Sequence, residues 1–515
     1  MPVGVQVPET GAFHGKSTSF WNDTTARTDY PPLDGDLAVD VAIIGAGIAG
    51  ITAAVLLHRA GCSVALIEAR RVAEQVTGRT TAKITSQHNL IYARLIRNYG
   101  AQAARLYAES NQAALERIAA FVTECGIDCD FERQPAYLYT TRFERLRDIE
   151  NEIRAARQVG LPAFFAWDIG LPFRVAGAIR FDDQAQFHPR KYLLGLLREL
   201  DGTNARIFEQ TRVLDVEEGR PCRVSTERGE VSAQYVIIAT NLPVVDPGGF
   251  FSRAYPRAHV ALAARIDPVI APAGMFLSND GPSRSIRTAP APDGGRVLIA
   301  VGESFRPGSV DTEARYRDLE AYVQRHFRVN AIDYRWTNED YDPVDDLFYI
   351  GRMAPLSRAV YVATGFKAWG MTGGTLAAMI LSDQILGRHN PWARLYNPNR
   401  TQQARRVGRL MRENVNIARK WIAEQVTAGA RRRAVDLGRG EAAVLDGADG
   451  KVAAYKDRDG TVHAVSAICT HMGCVVGWNA VERTWDCPCH GSRFDDKGEV
   501  LDGPATKPLA PVSAP

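Results

Sequence analysis

The chain has 515 residues, with 62 lysines and arginines against 59 aspartates and glutamates, a formal net charge of +3. That length exceeds what one hydrophobic core organises and implies roughly two to four domains, while the near balance of charge gives no argument for a nucleic-acid partner. The opening MPVGVQVPETGAFHGKSTSFW has no apolar core of signal-peptide length, and no segment has the length and uniform apolarity of a membrane span. The expected address is therefore the cytoplasm.

The first informative element is Val39–Ile44, a short apolar run of strand length. It enters Gly45-Ala46-Gly47-Ile48-Ala49-Gly50. Ile51–Ala60 then reads as a helix, and Cys62–Glu68 as a second strand ending in an acid. Strand, G-x-G-x-x-G, helix, strand and acid in this order predict a dinucleotide site. The glycines let the backbone turn tightly and approach a pyrophosphate at the positive end of a helix. Glu68 stands where a carboxylate bonds an adenosine ribose.

Three further stretches favour FAD over NAD. Ala69, Arg70 and Arg71 are followed by Thr77–Lys83, whose small polar residues Thr80, Thr81 and Ala82 suit a long phosphate-bearing cofactor. Tyr235–Thr240 reads as a strand ending in Ala239 and Thr240. Ala359–Gly365 is another, leading through Gly370-Met371-Thr372-Gly373-Gly374-Thr375 into a helix that runs to Leu386. A second glycine-rich helix start, far from the first, is what a large two-ended cofactor needs. Its amides can face a flavin ring oxygen.

Between these segments, residues 131–180 and 255–340 contain strand-like stretches such as Ala136–Thr141, Ala258–Ile266 and Val297–Val301. Residues 144–159 and 311–327 read as amphipathic helices. Lys83, His88 and Lys367 stand beside the cofactor motifs and are the candidate catalytic residues. A lysine near flavin N5 stabilises negative charge, and against this stand a structural histidine and two surface lysines. No arginine clamp for a substrate carboxylate stands out.

On Ser17–Trp21, Gly45, Gly47, Gly50, Glu68, Phe187-His188-Pro189, Ala239-Thr240 and Gly365-Phe366 through Gly370-Met371-Thr372, the chain from about 17 to 395 resembles the D-amino-acid-oxidase-like FAD oxidoreductases of glycine/sarcosine oxidase type. The resemblance implies an α/β Rossmann-like FAD domain with an inserted α+β substrate domain, a mixed sheet roofing the flavin. It implies FAD buried in extended form, with Gly365, Gly370, Met371 and Thr372 at the flavin and Val213 at the adenine. The expected division is 1–396 for this oxidoreductase part. Its FAD-binding segments are about 37–90, 185–245 and 345–395, and its substrate segments about 91–184 and 246–344.

Residues 397–433 form the expected linker. Asn397 to about Thr427 reads as one helix, with Val407, Leu410, Met411, Ile417, Trp421 and Ile422 mostly on one face and arginines on the rest. It reads as a connecting helix packed on the flavin domain, with membrane binding as the alternative for such a basic amphipath. After it, Ala442–Leu445, Lys451–Lys456 and Val462–Ala467 are separated by Asp-Gly turns, the chemistry of hairpins in an all-β module.

That module, residues 434–515, holds Cys469-Thr-His471-Met-Gly-Cys474 and Cys487-Pro-Cys489-His490-Gly-Ser492. Two Cys-plus-His boxes fifteen residues apart predict one [2Fe-2S] cluster, thiolates on one iron and imidazoles on the other. A structural zinc ion would use the same four atoms. The remaining cysteines, Cys62, Cys125, Cys129 and Cys222, are scattered and read as small buried hydrophobes.

The module resembles Rieske domains. The resemblance implies Cys469 and Cys487 on one iron, His471 and His490 on the other, and a Cys474–Cys489 disulfide of the cytochrome bc/b6f type. Zinc leaves that extra pair unexplained. It also implies a Ser492 hydroxyl bonded to a cluster sulfur, a Gly503-Pro504-Ala505 cover, and Phe494 where high-potential members carry tyrosine. Histidine ligation places the potential at roughly −150 to +300 mV.

The combination predicts a dehydrogenase. A small amine or amino-acid-like substrate reduces FAD, the cluster takes the electrons singly, and an external protein or quinone receives them. The alternatives are an O2-using oxidase, an NAD(P)H-dependent reductase or monooxygenase, and, outside catalysis, a redox sensor or electron carrier.

Overall fold

The apolar run before the glycine-rich turn becomes the strand Leu37–Ile44, with parallel neighbours on both sides. In the computed structural model, which describes residues 15–202, 204–400, 433–448 and 450–515, it lies near the middle of an eight-stranded sheet. The order is Tyr349–Arg352, Val360–Thr364, Gly229–Ile238, Leu37–Ile44, Val64–Ile67, Arg206–Phe208. The last five pair in parallel, Tyr349–Arg352 is an antiparallel edge, and Val213–Glu217 with Cys222–Thr226 extends Gly229–Ile238. Val41–Ile44 and Val64–Ile67 are buried throughout, which is why they read as unbroken apolar runs. Ile44, Ile67 and Ile238 end level with one another, so a crevice opens at the carboxyl edge of the sheet.

The helices Ile48–Arg59 and Gly370–Ile385 pack against each other beside this sheet. Gly374 permits the approach, since a Cβ there would lie 2.7 Å from Ile48 Cγ2. The helix Ala101–Glu124 joins them and buries Ala104, Tyr107, Ala108, Leu115, Ile118 and Phe121 in the same core. Residues 91–184 thus also build the core behind the dinucleotide sheet, beyond the substrate role expected of them.

A ten-stranded mixed sheet forms the second layer. It runs Lys16–Ser17, Val329–Pro343, Ala254–Ile266, Arg296–Val301, Ser285–Pro290, Met275–Ser278, Glu132–Thr140, Gly177–Gln186, Lys83–Ile84, with Ala163–Ala166 also on Gly177–Gln186. Lys83 pairs with Gln186, so residues 37–90 contribute to both sheets. The strand Val329–Pro343 ends at the crevice of the first sheet. Its alternation sets Thr337, Glu339 and Tyr341 on one face and Trp336, Asn338 and Asp340 on the other.

The C-terminal module has a three-stranded antiparallel sheet, Ala442–Gly447, Gly450–Lys456 and Val462–Ser466. A four-stranded sheet adds Gly477–Asn479, Thr484–Asp486, Arg493–Phe494 and Val500–Asp502. The module docks on Val329–Pro343. Thr337 N donates to Glu482 Oε1 at 2.6 Å, and Tyr341 Oη donates to the His490 carbonyl at 2.9 Å. Arg212 Nη2 reaches the Val500 carbonyl at 3.3 Å, and Gly477 abuts Gly308 so closely that a Cβ would lie 2.2 Å from its carbonyl oxygen.

Of the expected linker helix, residues 401–432 lie outside the described residues. Asn397–Arg400 is not helical; the short helix Ala393–Tyr396 precedes it. Arg400 is held by two bonds of 2.7 Å to the buried Asp345 carboxylate. Among the described residues, no helix is long and apolar enough to cross a membrane.

Candidate functional site: an FAD cavity walled by a cluster loop

The crevice continues into an elongated cavity whose floor is the first turn, Gly45 to Ala49. Gly47 caps the helix Ile48–Arg59 without any side-chain bond, so of its leading amides only that of Ile48 meets a side chain, Thr77 Oγ1 at 3.2 Å. Gly47, Ile48 and Ala49 line the cavity at this helix start, with the helix dipole behind them, which suits a pyrophosphate. Gly45 has φ +99°, and a Cβ would lie 2.6 Å from the Ala239 carbonyl oxygen. Gly50 lies outside the wall. A Cβ there would stand 1.9 Å from Gly45 O, so this glycine permits the turn itself.

Glu68, Ala69, Arg70 and Val213 line one end of the cavity. The Glu68 carboxylate accepts from Ala46 N at 3.0 Å and Arg70 N at 2.9 Å; burial raises its pKa and the two amides oppose the rise. Thr80, Ala239, Thr240, Gly370 and Met371 also line the cavity, whereas Thr81, Ala82, Gly365 and Thr372 stand behind it. The start of the helix Gly370–Ile385 likewise has no side-chain cap. Two uncapped helix ends on one elongated crevice fit FAD.

Sequence reasoning missed much of the wall. Asn338–Tyr341, Phe366 and Ala368 line the other end of the cavity, and Gly491, Arg493 and Leu501–Gly503 close it from the C-terminal module. It also missed what holds the strap Arg79–Ala82. Trp336 Nε1 donates to Arg79 O at 2.7 Å and Trp21 Nε1 to Thr80 O at 2.7 Å. Arg287 Nη1 donates to Thr81 O at 3.0 Å and Ala82 O at 2.9 Å. Three buried donors therefore fix four successive carbonyls, and Ala82 takes φ +54° to allow it.

The three candidate catalytic residues point away from acid–base work on a substrate in this cavity, and none lines it. His88 is buried and both ring nitrogens are engaged, Nδ1 with Tyr107 Oη at 2.6 Å and Nε2 with Thr85 O at 2.7 Å. Burial lowers its pKa to about 3, and it stacks on Trp369. Lys367 Nζ turns to the buried Asp346 at 2.6 Å. Lys83 Nζ donates to Phe276 O and Ser285 Oγ, each at 2.7 Å.

Burial, with Arg287 nearby, lowers Lys83 from 10.5 to about 7. Above that pH the native lysine is neutral while the unfolded one keeps its proton, so stability rises with pH. Between about 7 and 10.5 the expected slope is about 1.4 kcal/mol per pH unit. Lys83→Met should lack this rise, and denaturant unfolding of both proteins across that window checks it.

The C-terminal loops present a second donor set. Cys469 and Cys487 are unpaired and buried, and the His471 and His490 rings lie 4.9 Å apart. Both Nδ1 atoms are buried and have no hydrogen-bond partner. Burial lowers both imidazoles, His490 to about 3, so they are neutral and can ligate. Two thiols and two orphaned imidazole nitrogens fit a Rieske cluster. The Cys469 and Cys487 thiols hydrogen bond, which pulls Cys469 down to about 7 and pushes Cys487 up.

Cys474 and Cys489 form the disulfide that ties the two loops. Their sulfurs lie within 4.8 Å of the Cys487 sulfur, yet the bond between them removes both as ligands. Ser492 Oγ accepts from Ala505 N at 3.0 Å, and its hydroxyl lowers the Cys469 thiol. Phe494 is fully buried in the module core. Phe494→Tyr adds a hydroxyl donor near the sulfurs and should raise the cluster midpoint by tens of millivolts; an unchanged midpoint in voltammetry would count against this. Of the other cysteines, Cys129 and Cys222 are buried as their reading expects, and burial pushes Cys129 up to about 12, whereas Cys62 and Cys125 are only half-buried and Cys125 Sγ accepts from Arg59 Nη2 at 3.0 Å.

Comparisons with known proteins agree with both halves. The profile of the family described as FAD dependent oxidoreductase (DAO) matches residues 40–384, and that of the Rieske [2Fe-2S] domain matches 430–513. The chain is 36% identical over 499 residues to the "Putative Rieske 2Fe-2S iron-sulfur protein YhfW" of Bacillus subtilis, covering 96% of this chain and 97% of that one. Its C-terminal part is 56% identical over 50 residues to cytochrome b6-f complex iron-sulfur subunit 1 of Nostoc, which is 10% of this chain and 28% of that one. The glycine oxidase of Geobacillus kaustophilus superposes with a TM-score of 0.59 at 18% identity, covering 71% of this chain and 99% of that one. The uncapped dinucleotide cradle and the orphaned imidazoles thus have one account: the chain belongs to the FAD-dependent oxidoreductase (DAO) family, and it carries a Rieske [2Fe-2S] domain at its C-terminal end.

Proposed function

We propose that the protein is a dehydrogenase of a small amino-acid-like compound, and that electrons leave FAD through the Rieske cluster to an external protein or quinone. When bound, FAD accepts an electron pair from a reduced carbon–nitrogen or carbon–oxygen bond, and the cluster carries one electron at a time. The observation that carries this reading is the shared wall: Gly491, next to the ligand His490, lines the FAD cavity. The roles of the chain's own residues follow from position. The amides after Gly47 hold the pyrophosphate, Glu68 the adenosine, and Cys469, His471, Cys487 and His490 the irons.

The substrate class is argued from two things. One is likeness in fold to glycine oxidase. The other is Arg287, a buried guanidinium beside the cofactor strap whose bonds go to carbonyls. Burial lowers Arg287 to about 9, so a carboxylate brought near it would be stabilised.

Anaerobic titration with amines and amino acids tests the proposal. The flavin absorbance should bleach, and the cluster's EPR signal should then grow. Bleaching by NADPH alone would replace this reading with a reductase, and a bleached flavin beside a cluster that stays oxidised would replace the relay with an oxidase.

A further inference from the structure

The turn that carries two cluster ligands is also part of the FAD cavity. Within it, Cys487 N donates to Ser492 O at 2.8 Å and Gly491 N to Cys487 O at 3.0 Å, so Gly491 cannot move without the ligands beside it. Gly491 has φ +78°, and a Cβ there would stand 1.7 Å from Glu339 Oε1 and 2.6 Å from Tyr341 Oη. The loop therefore lies flush on Val329–Pro343.

Tyr341 joins that loop to the turn before the helix Gly370–Ile385. Its hydroxyl donates to the His490 carbonyl at 2.9 Å, and its own carbonyl accepts from Lys367 N at 3.1 Å. Lys367 and Ala368 hold positive φ in the turn that starts the helix Gly370–Ile385, and Phe366 and Ala368 on either side of Lys367 line the cavity. One buried residue thus grips both the segment expected at the flavin and a cluster ligand.

We propose that Tyr341 couples the two cofactor sites, so that occupancy of the FAD cavity sets the cluster's midpoint potential and the cluster's oxidation state sets the affinity for FAD. A filled cavity excludes water from the Gly491 wall, and cluster potentials respond to solvent exposure and local hydrogen bonds. Linkage makes the effect reciprocal. A tenfold difference in FAD affinity between the two oxidation states equals about 59 mV in the one-electron midpoint. The inference rests on the two-cofactor reading and on neither the substrate nor the acceptor.

The test is an EPR redox titration of the cluster in the full-length protein, FAD-loaded, FAD-stripped and refilled. The expected result is a midpoint that differs between loaded and stripped protein and returns on refilling, with the gap smaller in Tyr341→Phe. Equal midpoints overturn the coupling, and an undiminished gap in Tyr341→Phe overturns the part given to Tyr341. Should that variant lose its cluster, deuterium uptake across 487–493 in the wild type decides, and uptake indifferent to FAD overturns the coupling. A cluster that stays oxidised beside reduced flavin refutes the relay and leaves this coupling standing.

Discussion

Cys487→Ser is expected to abolish the cluster, with iron and acid-labile sulfide at background and the Rieske EPR signal gone. The thiol is buried, its partner thiol Cys469 is within hydrogen-bond reach, and serine supplies a hard oxygen in place of a soft thiolate. The consequence extends to folding. The ligand loops hold two imidazole Nδ1 atoms with no protein partner, and each orphan costs about 1–3 kcal/mol once the metal is absent. Cluster binding is folding free energy for so small a module. Thermal unfolding should show the C-terminal module melting far earlier than in the wild type, with the flavin-bearing part melting separately. A variant that keeps the signal would show that Cys487 is not a ligand.

Gly50→Ala is expected to be nearly as damaging at the other cofactor. The added methyl meets the Gly45 carbonyl oxygen at 1.9 Å and its carbon at 3.1 Å. Both are backbone atoms of the turn itself, so no side chain can swing aside. Relief requires moving either the turn or the start of the helix Ile48–Arg59, and both carry the amides that face the pyrophosphate. Overpacking of this kind costs about 1–3 kcal/mol, and here it also removes the cradle. Purified Gly50→Ala should contain little FAD by absorbance and melt earlier than the wild type. Full FAD content at wild-type stability would refute the steric account.

What the sequence made legible divides by the range of the interaction. Gly45, Gly47 and Glu68 were readable because their task is local: a turn, a helix end and the strand after it. The four candidate cluster ligands stood out in the sequence because thiolates and imidazoles at that spacing have few other uses. The same reasoning could not reach Asn338–Tyr341, which look like a polar stretch before a Pro343 turn. They belong instead to Val329–Pro343, where all four line the FAD cavity and Glu339 and Tyr341 also meet the C-terminal module. Their meaning depends on a module more than a hundred residues away in sequence.

Other differences have identifiable causes. The helix Ala101–Glu124 was signalled by apolar residues at 104, 107, 108, 115, 118 and 121, a helical period that was not read. Thr81 and Ala82 were expected on the cofactor because of their place in the motif. Their carbonyls belong to Arg287, whose buried bonds leave no trace in composition. Lys367 and His88 sit where a catalytic group is expected in sequence, but Asp346 and Tyr107 claim their polar atoms.

The face of Val329–Pro343 bears on how two such modules come to share one chain. Thr337, Glu339 and Tyr341 supply a docking face for the C-terminal module, with Arg212 and Gly308 beside them. Expressed as two polypeptides, the halves should reassemble on mixing.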